Sequence, residues 1–139
     1  MKALKNIIDK YSNSDFIDIE NIVYNYWIEI DYIDFEKINW IIIWDRIWIS
    51  KNISKEKQRF TLAHEFCHFL LKEKWASTWP FASVEFREKR ADTFAMNLLL
   101  PDKALIEAYN NYQNIPTLVD IFWVPYKVLE KRLQILLNK

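Results

Sequence analysis

His64-Glu65-Phe66-Cys67-His68 sets two imidazoles four residues apart, with a carboxylate directly after the first. On a helix that spacing puts both rings on one face, one turn apart, where two neutral ring nitrogens can share one zinc ion. Glu65 then lies beside the open coordination position and can take a proton from water there. The chain has two histidines in all, and both are in this stretch. The plainer alternative is a buried helix whose two histidines are hydrogen-bonded core residues.

Catalytic zinc takes three protein ligands and keeps one position open. No third histidine remains, and the position six residues after His68, where an extended histidine signature would place one, is Lys74. A carboxylate from another helix is the economical choice. Glu85, Glu88 and Asp92 fall at i, i+3 and i+7 along one stripe of the next long helix. Glu88 can bind zinc while Asp92, one turn on, accepts a hydrogen bond from the far nitrogen of a ligand histidine and so fixes its tautomer. Glu85 is the backup ligand. Alternatively, these acids pair with Arg87, Lys89 and Arg90 on a solvated face. Cys67 points about 100° around the helix from His68, which suits a small core residue better than a ligand.

The elements that must position these residues are readable from periodicity. Residues 3 to 11 and about 17 to 26 carry helical apolar stripes; Ile28, Ile30 and Tyr32 alternate with acids as in a strand. Two β-rich runs, 40 to 44 and 46 to 50, read as a hairpin about Trp44-Asp45. Ser54 can cap the motif helix, which is apolar nearly all round and should be buried, with a metal at the floor of a cleft. Residues 74 to 84 look like a loop. A long helix from Val84 stops before Pro101, and helices follow at about 102 to 112, 117 to 122 and 125 to 137. The expected fold is α+β: a small antiparallel sheet of about three strands packed on a helical core, with a C-terminal helical hairpin. At 139 residues, 1–139 is expected to form a single domain.

Charge is balanced, 19 basic against 19 acidic residues, which argues against nucleic acid or anionic membrane as the main partner. One cysteine excludes an intrachain disulfide framework and suits a reducing compartment. No stretch has signal-peptide or membrane-span character, so a cytoplasmic location is expected. The glycine content is abnormal: there is none, where ordinary usage predicts about ten, and there are seven tryptophans. Trp27, Trp44 and Trp123 stand where the pattern calls for positive φ or no side chain: a helix end, a hairpin tip and a turn between helices. A gene in which UGA encodes glycine, translated with UGA as tryptophan, would produce this; a tryptophan-rich core is the alternative.

Arg-Phe-Thr-Leu-Ala-His-Glu-Phe-Cys-His-Phe-Leu-Leu (59 to 71), followed by Glu88-x-x-Ala91-Asp92-x-Phe94-Ala95-x-x-Leu98-Leu99-x-Pro101, resembles the ImmA/IrrE family of zinc metallopeptidases. The likeness runs from about residue 20 to 137. It implies that His64, His68 and Glu88 hold Zn²⁺ and that Glu65 is the catalytic base. It also implies a protein substrate, a helix-turn-helix repressor encoded nearby in a mobile element or stress-response operon. The family usually has glycine where Cys67 stands, and an acid is common where Arg90 stands. Several of the tryptophans also occupy places where such sequences commonly have glycine. Two other functions compete. One is a helix-turn-helix DNA-binding module over residues 117 to 136, presenting Lys127, Lys131 and Arg132. The other is a metal-bound protein that grips its repressor without cutting it.

Overall fold

A computed structural model describes residues 2–34, 40–43, 45–71 and 84–138, with backbone alone at 40–43. Helix α1 (Lys2–Lys10) buries Leu4 and Ile7, one turn apart. Asp18 begins α2 (Ile19–Tyr24) by accepting the Asn21 N–H at 3.1 Å, and Ile19, Ile22 and Val23 face inward. Trp27, at φ 64°, then turns the chain into β1 (Glu29–Ile33). Strands β2 (Trp40–Ile43) and β3 (Arg46–Ser50) follow.

The expected antiparallel sheet is corrected here. Strand order is β1-β3-β2, with β2 antiparallel to β3 as in a hairpin, but β1 lies parallel to β3 on its other side. Alternation in sequence specifies which residues face the core and is silent on strand direction. Contacts across the pair fit the parallel direction. Arg46 is in register with Glu29, and its guanidinium reaches the carboxylates of both Glu29 and Asp31, which share one face of β1. Running β1 the other way would place Arg46 opposite the Ile33 end, without those partners. Ile47 and Ile49 of the central strand are completely buried.

Helix α3 (Lys55–Leu70) starts at Ser54, whose Oγ accepts the Lys57 N–H at 3.1 Å. Gln58 Nε2 donates to the Ser50 carbonyl at 3.0 Å and so ties this helix to the end of β3. Every residue from Leu62 to His68 is buried. Helix α4 (Val84–Leu99) packs along α3 with Ala91, Phe94, Ala95, Leu98 and Leu99 inside, and ends before Pro101. After α5 (Asp102–Tyr112) comes α6 (Ile115–Phe122), which begins two residues earlier than periodicity suggests. The Asn114 side chain caps it by accepting the Thr117 N–H at 3.2 Å, and Pro116 occupies a first-turn position that needs no donor. Trp123, at φ 53°, separates it from α7 (Tyr126–Leu137). Trp44 and most of the loop expected at 74 to 84 lie outside the described residues. Among the described residues no helix is long and apolar enough to cross a membrane.

Arg59 fastens the motif helix to two distant turns. Its Nη2 donates to the Ile17 carbonyl at 2.6 Å and its Nη1 to the Phe122 carbonyl at 3.1 Å, while the guanidinium lies 4.4 Å from the Phe16 ring centroid. Burial lowers its pKa to about 10, which still leaves it charged near neutrality. Arg59→Ala strands both carbonyls and opens space beneath Phe16. We expect a loss of about 2–3 kcal/mol of stability, read from urea unfolding; a loss below about 0.5 kcal/mol would remove the clamp from the account.

Candidate metal centre

Helices α3 and α4 carry the site between them, α3 supplying the two rings and α4 the acids that meet them. Because His64 and His68 are one turn apart, both Nε2 atoms point to the same spot, 3.2 Å from each other. Glu88 spans them, with Oε2 2.8 Å from His64 Nε2 and Oε1 3.0 Å from His68 Nε2. On the far side of His64, Nδ1 lies 2.6 Å from Asp92 Oδ1. With a cation on the Nε2 side, Nδ1 would carry the proton and donate it to Asp92, because a carboxylate only accepts. Glu65 is 1% exposed, with Oε1 3.8 Å from His64 Nε2 and no hydrogen-bond partner among the described residues.

These residues fit a divalent cation. Two imidazole nitrogens and a carboxylate are a zinc-type donor set, and separations of 2.8 to 3.2 Å approach the roughly 3.3 Å edges of a tetrahedron whose donors lie about 2 Å from its centre. Glu85, by contrast, does not join the site. Its side chain is 81% exposed and pairs with Lys89 at 3.7 Å. Arg87 is not on a solvated face either, being 1% exposed. Cys67 is buried in the core.

Burial, and secondarily the charge of Glu88, push the Glu65 carboxyl from 4.5 up to about 8. The folded metal-free protein therefore keeps a proton that the unfolded chain releases once pH exceeds its ordinary carboxylate value. Stability must fall as pH rises through that window, because the folded state binds more protons there. Glutamine at this position is neutral at every pH. Metal-free Glu65→Gln should lose that slope and, at pH 8 and above, exceed the metal-free parent by a few kcal/mol, on the order of the shift itself. Urea melts at pH 5 and 8.5 check it: equal slopes in the two proteins would rule out Glu65 as the source.

The site opens into a cleft of ≈ 430 Å³ whose walls include Phe60, Thr61, Lys57 and Pro125. Sequence reasoning named none of these as lining. Phe60 and Thr61 could have been found, since they lie four and three residues before His64 on the same helical face. Pro125 comes from the turn between α6 and α7 and carries no local signal. A larger cleft, ≈ 490 Å³, lies around Asp9, Ser12, Asp102 and Arg132. It contains no histidine, and Arg132 there is already bound by Asp102.

Comparison with known proteins defines the class. The IrrE N-terminal-like domain, a peptidase family, matches residues 32–134, and the chain belongs to that family. The family is one of metallopeptidases, which implies a metal. An immunity region protein of Bacillus phage phi105, itself uncharacterized, is 32% identical over 122 residues, covering 78% of this chain and 72% of the relative. A Mycobacterium tuberculosis transcriptional regulator of known structure superposes with a TM-score of 0.63 at 15% identity, over 94% of this chain and 51% of the other. That likeness shows a shared α+β fold, and the chain spans about half the length of that regulator.

Proposed function

We propose that this chain is a zinc-dependent endopeptidase that cleaves a helix-turn-helix transcriptional repressor. The observation that carries the proposal is the meeting of His64 Nε2, His68 Nε2 and the Glu88 carboxylate within 2.8 to 3.2 Å at the head of an open cleft, beside a buried Glu65 whose Oε1 has no hydrogen-bond partner among the described residues. His64, His68 and Glu88 would hold the ion, and Asp92 would orient His64 from behind. Zinc bound there supplies Lewis acidity, lowering the pKa of water and polarising a peptide carbonyl. Glu65 takes the proton of the attacking water, whose oxygen bonds to the carbonyl carbon. It then returns that proton to the leaving nitrogen as the C–N bond breaks, so atoms and charge balance.

The repressor substrate is supported by the family resemblance. It is also supported by the setting that the phage relative's name indicates, an immunity region, and by the regulator title of the structural neighbour. The competing reading of α6 and α7 as a DNA reader has lost one of its three basic residues: Arg132 is 8% exposed and bound to Asp102. The test uses the helix-turn-helix protein encoded beside this gene. Mixed with the zinc-loaded chain it should be cut at one position, visible as two fragments by mass spectrometry, with cleavage stopped by a chelator and restored by zinc. An intact repressor that nevertheless copurifies with the zinc-loaded chain would favour grip without cleavage.

A further inference from the structure

We propose that a second pocket, opening from the metal cleft toward α7, is a specificity subsite for substrate segments in which an apolar residue is flanked by acidic ones. This rests on the peptidase reading above and names the peptide chemistry that the site selects. The pocket, ≈ 210 Å³, shares Phe60 and Asp92 with the metal cleft, so the two adjoin, and an extended chain crossing both would follow one channel. Its floor is apolar: Phe60, Met96 and Val128, with Met96 only 5% exposed. That is room for one large aliphatic or aromatic side chain and not for a folded element. Its rim carries Lys127 and Lys131, about 6 Å apart because they stand one turn apart on α7. Both are exposed, with no ion-pair partner among the described residues. Lys57 adds a third cation at the metal end of the channel. The one acid in the pocket, Asp92, is already engaged by His64 Nδ1 at 2.6 Å. A polypeptide lying in the channel therefore meets an apolar hole bordered by uncompensated positive charge, which favours acidic neighbours and rejects basic ones. Duplex DNA would use the lysines but has no need of the apolar floor.

The probes are two fluorescein-labelled peptides, one with a leucine flanked on both sides by glutamates and the other with lysines in place of those glutamates. A DNA duplex of matched charge is the third. Binding is measured by polarisation on the full-length, zinc-loaded Glu65→Gln chain, so no turnover is required. The acidic peptide should bind at least about tenfold tighter than the basic one. The double variant Lys127→Glu/Lys131→Glu should reverse that order, and Thr93→Trp, at the pocket mouth, should weaken both. An acidic-peptide affinity unchanged to within about twofold by the charge reversal overturns the subsite; so does DNA binding more tightly than the peptide. Failure of the peptidase reading looks different: charge-selective binding persists while the native chain cuts nothing. Cleavage of the repressor at the parental rate by the lysine double variant would sink the subsite and leave the peptidase intact.

From a separate observation we infer that Trp27 and Trp123 are glycines in the organism's own protein, encoded by UGA and misread as tryptophan. Both have left-handed backbones, φ 64° and 53°, a region costly for a bulky residue and free for glycine. Trp27 gains almost no burial in return, being 88% exposed, and Trp123 stays 49% exposed, with its ring edge-on to Phe16 at 5.8 Å. Trp123 caps the end of α6, where glycine is the preferred stop, and Trp27 closes the turn that follows α2. Gln113, at φ 48°, is the third such position among the described residues and shows that the conformation alone does not demand glycine. What singles out the tryptophans is a large apolar ring left exposed at such a position, together with a glycine count of zero. The codons decide: UGA is expected at both positions in the source gene, and UGG at either overturns the inference. As a physical check, Trp27→Gly/Trp123→Gly should raise the melting temperature by roughly 4 °C or more; a lower melting temperature would count against it.

Discussion

If Glu65 is the base of the proposed peptidase, Glu65→Gln should leave the metal in place and reduce cleavage by roughly 10²–10⁴-fold. Glutamine keeps the size and most of the packing of a side chain that is 1% exposed, so the helix and the rings beside it should not move. What disappears is the ability to take a proton from water and deliver it to the leaving amine. The measurement pairs metal content, from inductively coupled plasma analysis of the purified variant, with the initial rate of repressor cleavage. A variant that binds one zinc per chain and cuts at the parental rate removes Glu65 from the mechanism. One that loses zinc as well would make Glu65 a ligand and not a base.

Removing the acids of α4 one at a time should give an ordered series of zinc affinities. Asp92 touches His64 through Nδ1, on the side of the ring away from where the proposed ion would bind, so Asp92→Ala should cost about 10–100-fold. Glu88 faces both Nε2 atoms, and Glu88→Ala should cost well beyond that roughly 100-fold range, since two nitrogen donors remain. Glu85→Ala should change nothing measurable, because its carboxylate is spent on an exposed pair with Lys89. Competition titration against a zinc chelator reads all three. The order Glu85 above Glu88 would displace Glu88 from the site and with it the coordination scheme.

Much of this protein could be read from the chain. His64-x-x-x-His68 is a local pattern: once α3 is a helix, 3.6 residues per turn bring the rings together whatever the rest of the molecule does. Ser54 as a cap, the stop before Pro101 and the apolar stripe of α4 are local in the same way, each decided within about a turn of the residues concerned. The stripe of acids on α4 was visible too. Its rotation about the helix axis against α3 was not, and a rotation of one turn's fraction separates Glu88, at the rings, from Glu85, out in solvent.

What no local pattern carried was how separate segments meet. The direction of β1, which brings Glu29 and Asp31 to Arg46 across the sheet, is one such feature, and alternation is blind to it. Arg59 reaches the Ile17 and Phe122 carbonyls, 42 and 63 residues away, and Pro125 closes the cleft from a turn with no motif of its own. The chain alone determined which side chains could do the chemistry, because helical spacing is a short-range property. Packing decided which acid faces the histidines and what walls the cleft around them, because those contacts join surfaces whose mutual orientation is set by burial across the whole core.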